Sequence, residues 1–446
     1  MTNSIVLISD EHNPLFTSVY GHPFVKTPNM EKMAQKGTVY KNTYCPSPVC
    51  VPSRSAFISG KRNHDIQVYN NSNVNLASPL SYGKALADQG VYSVYIGRID
   101  AYDKGENLGF SEVIDPGDRK IPGDDNFLAK SSQGAAQRAN GYGVKENTFA
   151  GDLRTIDTAI DWLNNKAPEI EEPWVMTIGT FKPHFPHWAR QEYWDMYEGY
   201  ADLPNYGRDC KSANHPYAKD IREYYEADFF DDEQTKGLRR GYYACVSFVD
   251  EQIGRLMDHL ENSGQSADTN FIYTSDHGEM LGKFGMWWKC TLYEDSVRIP
   301  CIATGPDFDE NKLIETPVDL FDIQASLFAS TDVDRPENWV GKPLQEVEEN
   351  DPERVVFSEY HGHGTRAGSY MIRKGDWKLI YYIEAEDQLF NLAEDPDELN
   401  NLYYKNPDKA KELEAELRKI CDPEKEDQKA KIFQKKQMES IINKDY

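Results

Sequence analysis

The 446-residue sequence has no uninterrupted apolar run near the roughly 18 to 20 residues that a membrane-spanning helix needs, so nothing in it reads as a bilayer span. Basic residues are in short supply. Lys and Arg number 49 against 74 Asp and Glu, a formal net charge of −25. A surface of that sign repels a phosphate backbone, which excludes nucleic acid as the expected partner. Cysteine is also sparse: Cys45, Cys50, Cys210, Cys245, Cys290, Cys301 and Cys421 are odd in number and scattered. That pattern argues against a disulfide framework and for a reducing compartment. The opening MTNSIVLISD lacks a basic start, and its apolar run of about five residues falls short of the roughly 7 to 15 of a secretory core. A cytoplasmic protein is the expectation, with a periplasmic or secreted one if a leader has been removed. What the chain does have is apolar material, 39% hydrophobic and 12% aromatic residues, enough to offset the entropy of ordering.

Short β-branched runs recur at Ile5 to Ser9, Tyr92 to Ile96, Trp174 to Ile178, Asn270 to Thr274 and Ile299 to Ala303. Without strict alternation, they read as strands covered on both faces. Helical periodicity separates them. It is clearest from Leu238 to Leu260, where Tyr242, Cys245, Val246, Val249, Ile253 and Leu256 keep a spacing near 3.6 residues. This alternation predicts an α/β fold: a doubly wound, mostly parallel sheet with helices on both faces and functional groups just past the carboxyl ends of its strands. The acidic stretch EVEENDPER marks a change of composition, and the expected division is a catalytic domain over 1–348 and a smaller subdomain over 349–446. Runs at Val355 to Glu359, Ser369 to Arg373, Trp377 to Ile383 and Gln388 to Asn391 predict a small antiparallel sheet. An amphipathic helix over Pro407 to Ile420 follows, then a Lys/Glu-rich tail from Pro423 that either packs on the surface or hangs free.

Two strand ends carry pairs of potential ligands, Asp10-Glu11 after IVLIS and Asp276-His277 after IYTS. Hard oxygen ligands at the ends of neighbouring parallel strands converge on one point and suit a divalent cation such as calcium, while the histidine nitrogen leaves room for manganese. Between the two pairs lies Cys50-Val51-Pro52-Ser53-Arg54, followed by Ser55, Ala56, Phe57, Ile58, Ser59 and Gly60. This segment resembles the signature of the type I, formylglycine-dependent sulfatases: Cys-x-Pro-Ser-Arg, three residues, an apolar residue, Ser or Thr, then Gly. The run from Tyr20 to Asn29, YGHPFVKTPN, resembles the choline-sulfatase-like branch, and Lys182-Pro183-His184 resembles the iduronate-sulfatase-like one. Gln388 to Pro396 is similar to the family's terminal element and reads as architectural.

The resemblance covers Asp10 to about Leu402 and implies an alkaline-phosphatase-like fold that hydrolyses a sulfate monoester. In that family Cys50 would be oxidised to formylglycine; one hydroxyl of its hydrate attacks sulfur and the second allows sulfate to be released. Asp10, Glu11, Asp276, His277 and the modified Cys50 would hold the metal, although Glu11 departs from the two Asp that the family usually has in the first cluster. Arg54, one helical turn beyond Cys50, would hold the modified side chain with its charged fork. Ser53 would serve recognition by a formylglycine-generating enzyme. Lys289, 12 residues past His277, would reach sulfate and nucleophile. His184 would protonate the leaving alcohol, and Lys182 would neutralise sulfate. Where most sulfatases carry Gly-Lys-x-His, this chain reads Gly97-Arg98-Ile99-Asp100. Arg98 keeps the charge, but Asp100 would be repelled by sulfate unless it pairs with a base or reads a cationic or hydroxyl group. Arg62 and His64 follow the signature where the family often directs bases toward the site; His187 and Trp188 are candidates for the substrate rim. His361, His363 and Arg366, in a glycine-rich segment, would read the organic part of the substrate.

The expected substrate is a sulfated saccharide or small metabolite. Two other readings fit the same residues: a phosphonate or phosphate ester hydrolase with the same nucleophile, and a non-catalytic binder of sulfated ligands.

Overall fold

A computed structural model describes residues 1–72, 78–124, 127–128, 132 and 134–444. Its centre is an eight-stranded sheet. Across it run Lys312–Ile314, Gly37–Tyr40, Cys301–Thr304, Thr269–Ser275, Asn3–Asp10, Trp174–Pro183, Tyr92–Gly97 and Glu112–Ile114. Cys301–Thr304 alone runs against the other seven, pairing antiparallel on both sides. The run predicted over Ile299 to Ala303 is therefore two short strands: Pro300, which has no amide hydrogen, separates Arg298–Ile299 from Cys301–Thr304. The strand Asn3–Asp10 is buried almost throughout, which is why its sequence is continuously apolar rather than alternating.

Helices cover both faces. On one side Pro28–Gln35, Ala150–Asn165 and Asp232–Ser263 pack on one another and on the sheet; on the other lie Cys50–Ser59, Tyr82–Ala87 and Leu320–Thr331. The helix predicted from Leu238 begins six residues earlier, because Asp231 and Gln234 form a reciprocal capping box, and it ends at Gly264 with a φ of 79°.

The strands Val355–Tyr360, Ser369–Lys374, Trp377–Tyr382 and Gln388–Asn391 form the expected antiparallel sheet in chain order. A buried ionic network fastens it to the short strand Thr43–Tyr44 and the helix Glu294–Val297: Lys378 Nζ lies 2.9 Å from Glu294 and 2.8 Å from Glu398, and the Tyr44 hydroxyl donates to Glu294. The chain's last helix, Pro423–Asn443, does not hang free. Gln434 donates to the His361 carbonyl at 2.6 Å, Asp427 accepts from the Gly368 amide, and Ala430 and Phe433 pack on Tyr69.

Strand register positions the candidate chemistry. Ser9 pairs with Ser275 and Asp10 with Pro183, while Gly97 pairs with Gly179, so Asp10, Asp276, Arg98 and Lys182-His184 all emerge at one edge. Gly179 makes this approach possible: a Cβ there would sit 2.0 Å from the Arg98 carbonyl oxygen, and the Arg98 amide donates to Gly179 at 2.9 Å. Replacing Gly179 with Ala is expected to lower unfolding stability in urea by about 1–3 kcal/mol, since the backbone must shift to admit one carbon.

Candidate active site

Cys50 opens the helix Cys50–Ser59, and its sulfur is fully buried, 3.3 Å from His277 Nε2 and 3.8 Å from Asp10 Oδ1. Arg54, one turn on, reaches across both acidic strand ends. Its Nε lies 2.7 Å from Asp276 Oδ2 and one terminal nitrogen 3.5 Å from Asp10 Oδ2, while its other donors go to the Arg98 and Ser9 carbonyls. Asp276 Oδ1 accepts from the amides of Glu11 and His277, locking the two loops together. Ser53 Oγ donates to the Asp276 carbonyl at 2.5 Å. Glu11 itself has a φ of 69°, a conformation costly for a non-glycine residue, and that turn brings its carboxylate within 3.3 Å of both Lys289 Nζ and His184 Nε2. His184 Nδ1 donates to the Phe185 carbonyl at 2.6 Å, which leaves Nε2 facing the carboxylates.

Electrostatics divide these groups. Burial alone raises the Asp10 carboxyl, but Arg98, Arg54 and Lys289 outweigh it and hold Asp10 well below the usual carboxylate range. Burial pushes Glu11 well above that range despite Lys289, with Glu279 adding to the rise. Burial also keeps His184 far below the ordinary imidazole value, reinforced by Lys289 and Arg98. His277 goes the other way: burial opposes its charge, yet Asp276 outweighs it and moves the ring up to about 9.

Asp10, Cys50, Asp276 and His277 each present one donor atom, all within 4.8 Å of one another, and Asp10, Glu11 and His184 form a second such group. Both Glu11 carboxylate oxygens and Asp10 Oδ2 are buried without a hydrogen bond. Arg98 Nε stands 2.9 Å from Asp10 Oδ2 but off the hydrogen-bonding direction, so that contact neutralises charge without satisfying the oxygen. These oxygen donors and one imidazole fit a divalent cation.

The other candidate residues divide between the cluster and its surroundings. Asp100 is not exposed to a sulfate's repulsion, because Arg98 and Arg119 both pair with it. Arg119 went unread in the sequence, as did Asp152, whose carboxylate grips the Phe181 and Lys182 amides at 2.8 Å each, and Glu279, which accepts from the Leu281 and Trp288 amides behind Glu11. No spacing motif marks these partners. Lys182 gives its ammonium to the Pro186 and His184 carbonyls, at 2.6 and 3.4 Å, and so holds the turn that carries His184. His187 is buried against the Leu238 carbonyl, and the Trp188 carbonyl accepts from Thr148. Arg62 stacks over Phe357. His64 and His361 clasp Glu359 from either side at 2.8 and 2.9 Å, a buried structural trio. His361 and Arg366 line a cavity of about 420 Å³ beneath the last helix, where Arg366 pairs with Asp220. His363 lies nearer the cluster, 4.0 Å from the sulfur of Cys290, next to Lys289.

A family model named Sulfatase matches residues 2–333, and a second, N-sulphoglucosamine sulphohydrolase, C-terminal, matches residues 282–427. The chain belongs to the sulfatase family. Among its relatives, the choline-sulfatase of Rhizobium meliloti is 28% identical over 429 residues, covering 90% of this chain and 82% of that protein. Arylsulfatase K of Homo sapiens is 26% identical, covering 94% and 82%. Two solved structures share the fold at a TM-score of 0.76: BT4656 in complex with D-glucosamine-2-N,6-O-disulfate (22% identity, 94% and 97% covered) and the phosphonate monoester hydrolase of Agrobacterium radiobacter (19%, 94% and 95%). The fold is therefore the alkaline-phosphatase-like one of the sulfatases, and the chain is a sulfuric ester hydrolase.

A cation bound only by the folded sulfatase stabilises it in proportion to the logarithm of its concentration. Stripping divalent metal with a chelator is expected to lower the melting temperature, and returning it at a hundredfold excess over its dissociation constant should restore about 2.7 kcal/mol. Glu11→Gln should weaken metal uptake, read by calorimetry, by tenfold or more.

Proposed function

We propose that this sulfatase releases sulfate from a monoester of a saccharide or small metabolite, using Cys50 matured to formylglycine by a formylglycine-generating enzyme and a divalent cation, calcium first, bound by Asp10, Glu11, Asp276 and His277. The observation that carries the reading is the convergence of the Cys50 sulfur with Asp10 and His277 at 3.8 and 3.3 Å, from strand ends far apart in sequence. When present, the hydrated aldehyde supplies a nucleophilic hydroxyl and the cation supplies Lewis acidity toward the sulfuryl oxygens.

The chain's own residues do the rest. Arg54 is fixed on Asp276 and orients the residue-50 side chain from one turn away. Lys289 and Arg98 bracket the cluster as fixed positive charges for a sulfate. With Nδ1–H held by the Phe185 carbonyl, the proton that His184 gives the departing alcohol comes from Nε2 of the imidazolium, a state that the approaching anion favours. Lys182 and Asp152 act as positioning residues, holding both ends of the turn that aims His184. A sulfated sugar is consistent with the ligand in the BT4656 complex, and choline sulfate with the name of the Rhizobium relative.

Cys50→Ala should abolish turnover while retaining the folded state, and intact-mass analysis of the Cys50 peptide from the native host should find formylglycine; unmodified thiol with no turnover would favour the binder. Paired aryl sulfate and aryl phosphonate substrates test the phosphonate alternative, which the shared fold of the Agrobacterium hydrolase keeps in view; much faster phosphonate turnover would overturn the sulfate assignment. His184→Gln should cost roughly 10²–10⁴ in kcat on a sugar sulfate, whose alkoxide needs a proton, and far less on nitrophenyl sulfate, whose leaving group does not.

A further inference from the structure

Arg54, Arg98 and Arg119 each face a carboxylate of Asp10, Asp100 or Asp276. Arg138 does not. Among the described residues its side chain makes neither an ion pair nor a hydrogen bond, in a chain with 25 more acidic than basic side chains. Its guanidinium instead stands over three rings, 4.7 Å from the centre of Phe185, 5.4 Å from Trp288 and 5.5 Å from Tyr225. Trp288 and Tyr225 are buried, so they form a rigid floor under a half-exposed cation.

The same rings belong to the catalytic machinery. Phe185 stacks on His184 with ring centres 4.3 Å apart, and Trp288 precedes Lys289, whose ammonium lies 5.4 Å from the Phe185 centre. Lys289 and Arg138 therefore share one ring and stand within the span of a single sugar and its substituents. A guanidinium whose contacts are aromatic keeps its N–H donors uncommitted, and aromatic contact holds the fork without neutralising its charge. Such a fork matches an oxyanion with two equivalent oxygens, and apolar walls strengthen the attraction by excluding water.

We infer that Arg138 is a specificity-determining residue that reads a second negative charge, a carboxylate or another sulfate, on the organic part of the ester. The inference rests on the sulfatase reading above and narrows its substrate class to doubly anionic esters. Lys289 and Arg98 take the scissile sulfate while Arg138 takes the other group, so a substrate lacking it covers that cation without giving it a partner.

The test uses the non-hydrolysing Cys50→Ala protein, titrated by calorimetry with a sulfated uronate, a disulfated hexosamine and a neutral hexose monosulfate. At least one doubly charged ligand should bind tenfold or more tightly than the neutral one, and Arg138→Met, which keeps the apolar stem over the rings, should remove that advantage. Arg138→Lys, retaining charge but not the fork, should recover only part of it. The arm in which the loss occurs tells carboxylate from sulfate. In matured enzyme the preference in kcat/KM for the doubly charged ester should fall ten- to hundredfold with Arg138→Met, carried mainly by KM. Equal effects of Arg138→Met on all three ligands, or a preference that survives it in a variant with a normal melting transition, would overturn the assignment. Preferential binding without any sulfate release from matured protein would contradict the sulfatase reading and leave the role of Arg138 standing, whereas release with no such preference would do the reverse.

Discussion

Three carboxylates buried at one point are tolerable only if positive charge meets them there, and much of the surrounding architecture exists to supply it. Asp10, Glu11 and Asp276 are each fully buried. Isolated in so dry a site, any of them would take a proton rather than remain charged. Arg54 ties two of them to the helix of Cys50, Lys289 faces the third, and Arg98 leans on Asp10. Those arginines and the lysine fix the sites' geometry without filling every lone pair, because Glu11 keeps both oxygens free of hydrogen bonds. A divalent cation is the ligand that such leftover oxygens suit.

The same constraint explains the chain's departure from the family pattern at Asp100. An acid beside a sulfate site looks self-defeating until Arg119 is added: with Arg98 it surrounds Asp100, whose carboxyl is lowered to about 2, burial being overcome first by Arg119 and then by Arg98. The pair Asp100–Arg119 therefore orients Arg98 while leaving one net positive charge on the three side chains. Charge is conserved locally even though the residue types are not. Asp100 therefore adds no uncompensated negative charge beside Arg98, in a molecule that as a whole carries −25.

Most of the sheet and the metal-facing cluster were legible because their signals are local. Continuous apolar runs ending in Asp10 and Asp276 announce buried parallel strands, and the spacing from Cys50 to Gly60 carries its own chemistry. Three kinds of information were not. Pro300 breaks a run whose composition reads as one strand, and only the antiparallel partners on both sides fix where it resumes. The last helix has too mixed a face for its sequence to reveal docking; single contacts such as Gln434 to the His361 carbonyl hold it. Glu279, Asp152 and Arg119 sit in no motif because their partners lie in distant segments, and pairing of that kind leaves no period to read. For His64, His361 and Arg366, residue type and neighbourhood pointed toward the cleft, but Glu359 and Asp220 claim them.

What remains is why specificity should sit on the segment around Arg138 and not in the glycine-rich loop that drew notice in sequence. A catalytic cluster built on strand ends is rigid and sees only the sulfate, which is alike in every substrate. Discrimination has to come from groups that touch the alcohol without disturbing the cluster. The His361–Arg366 cavity is served by side chains already paired with carboxylates, so a ligand entering it must compete with those partners. Arg138 asks for no such exchange: its rings fix it but do not satisfy it, and Phe185 connects it directly to His184, the group proposed to meet the leaving oxygen. A charge recognised there is fixed relative to the scissile bond by one aromatic ring, which is the shortest route by which binding energy from the alcohol can position the sulfate.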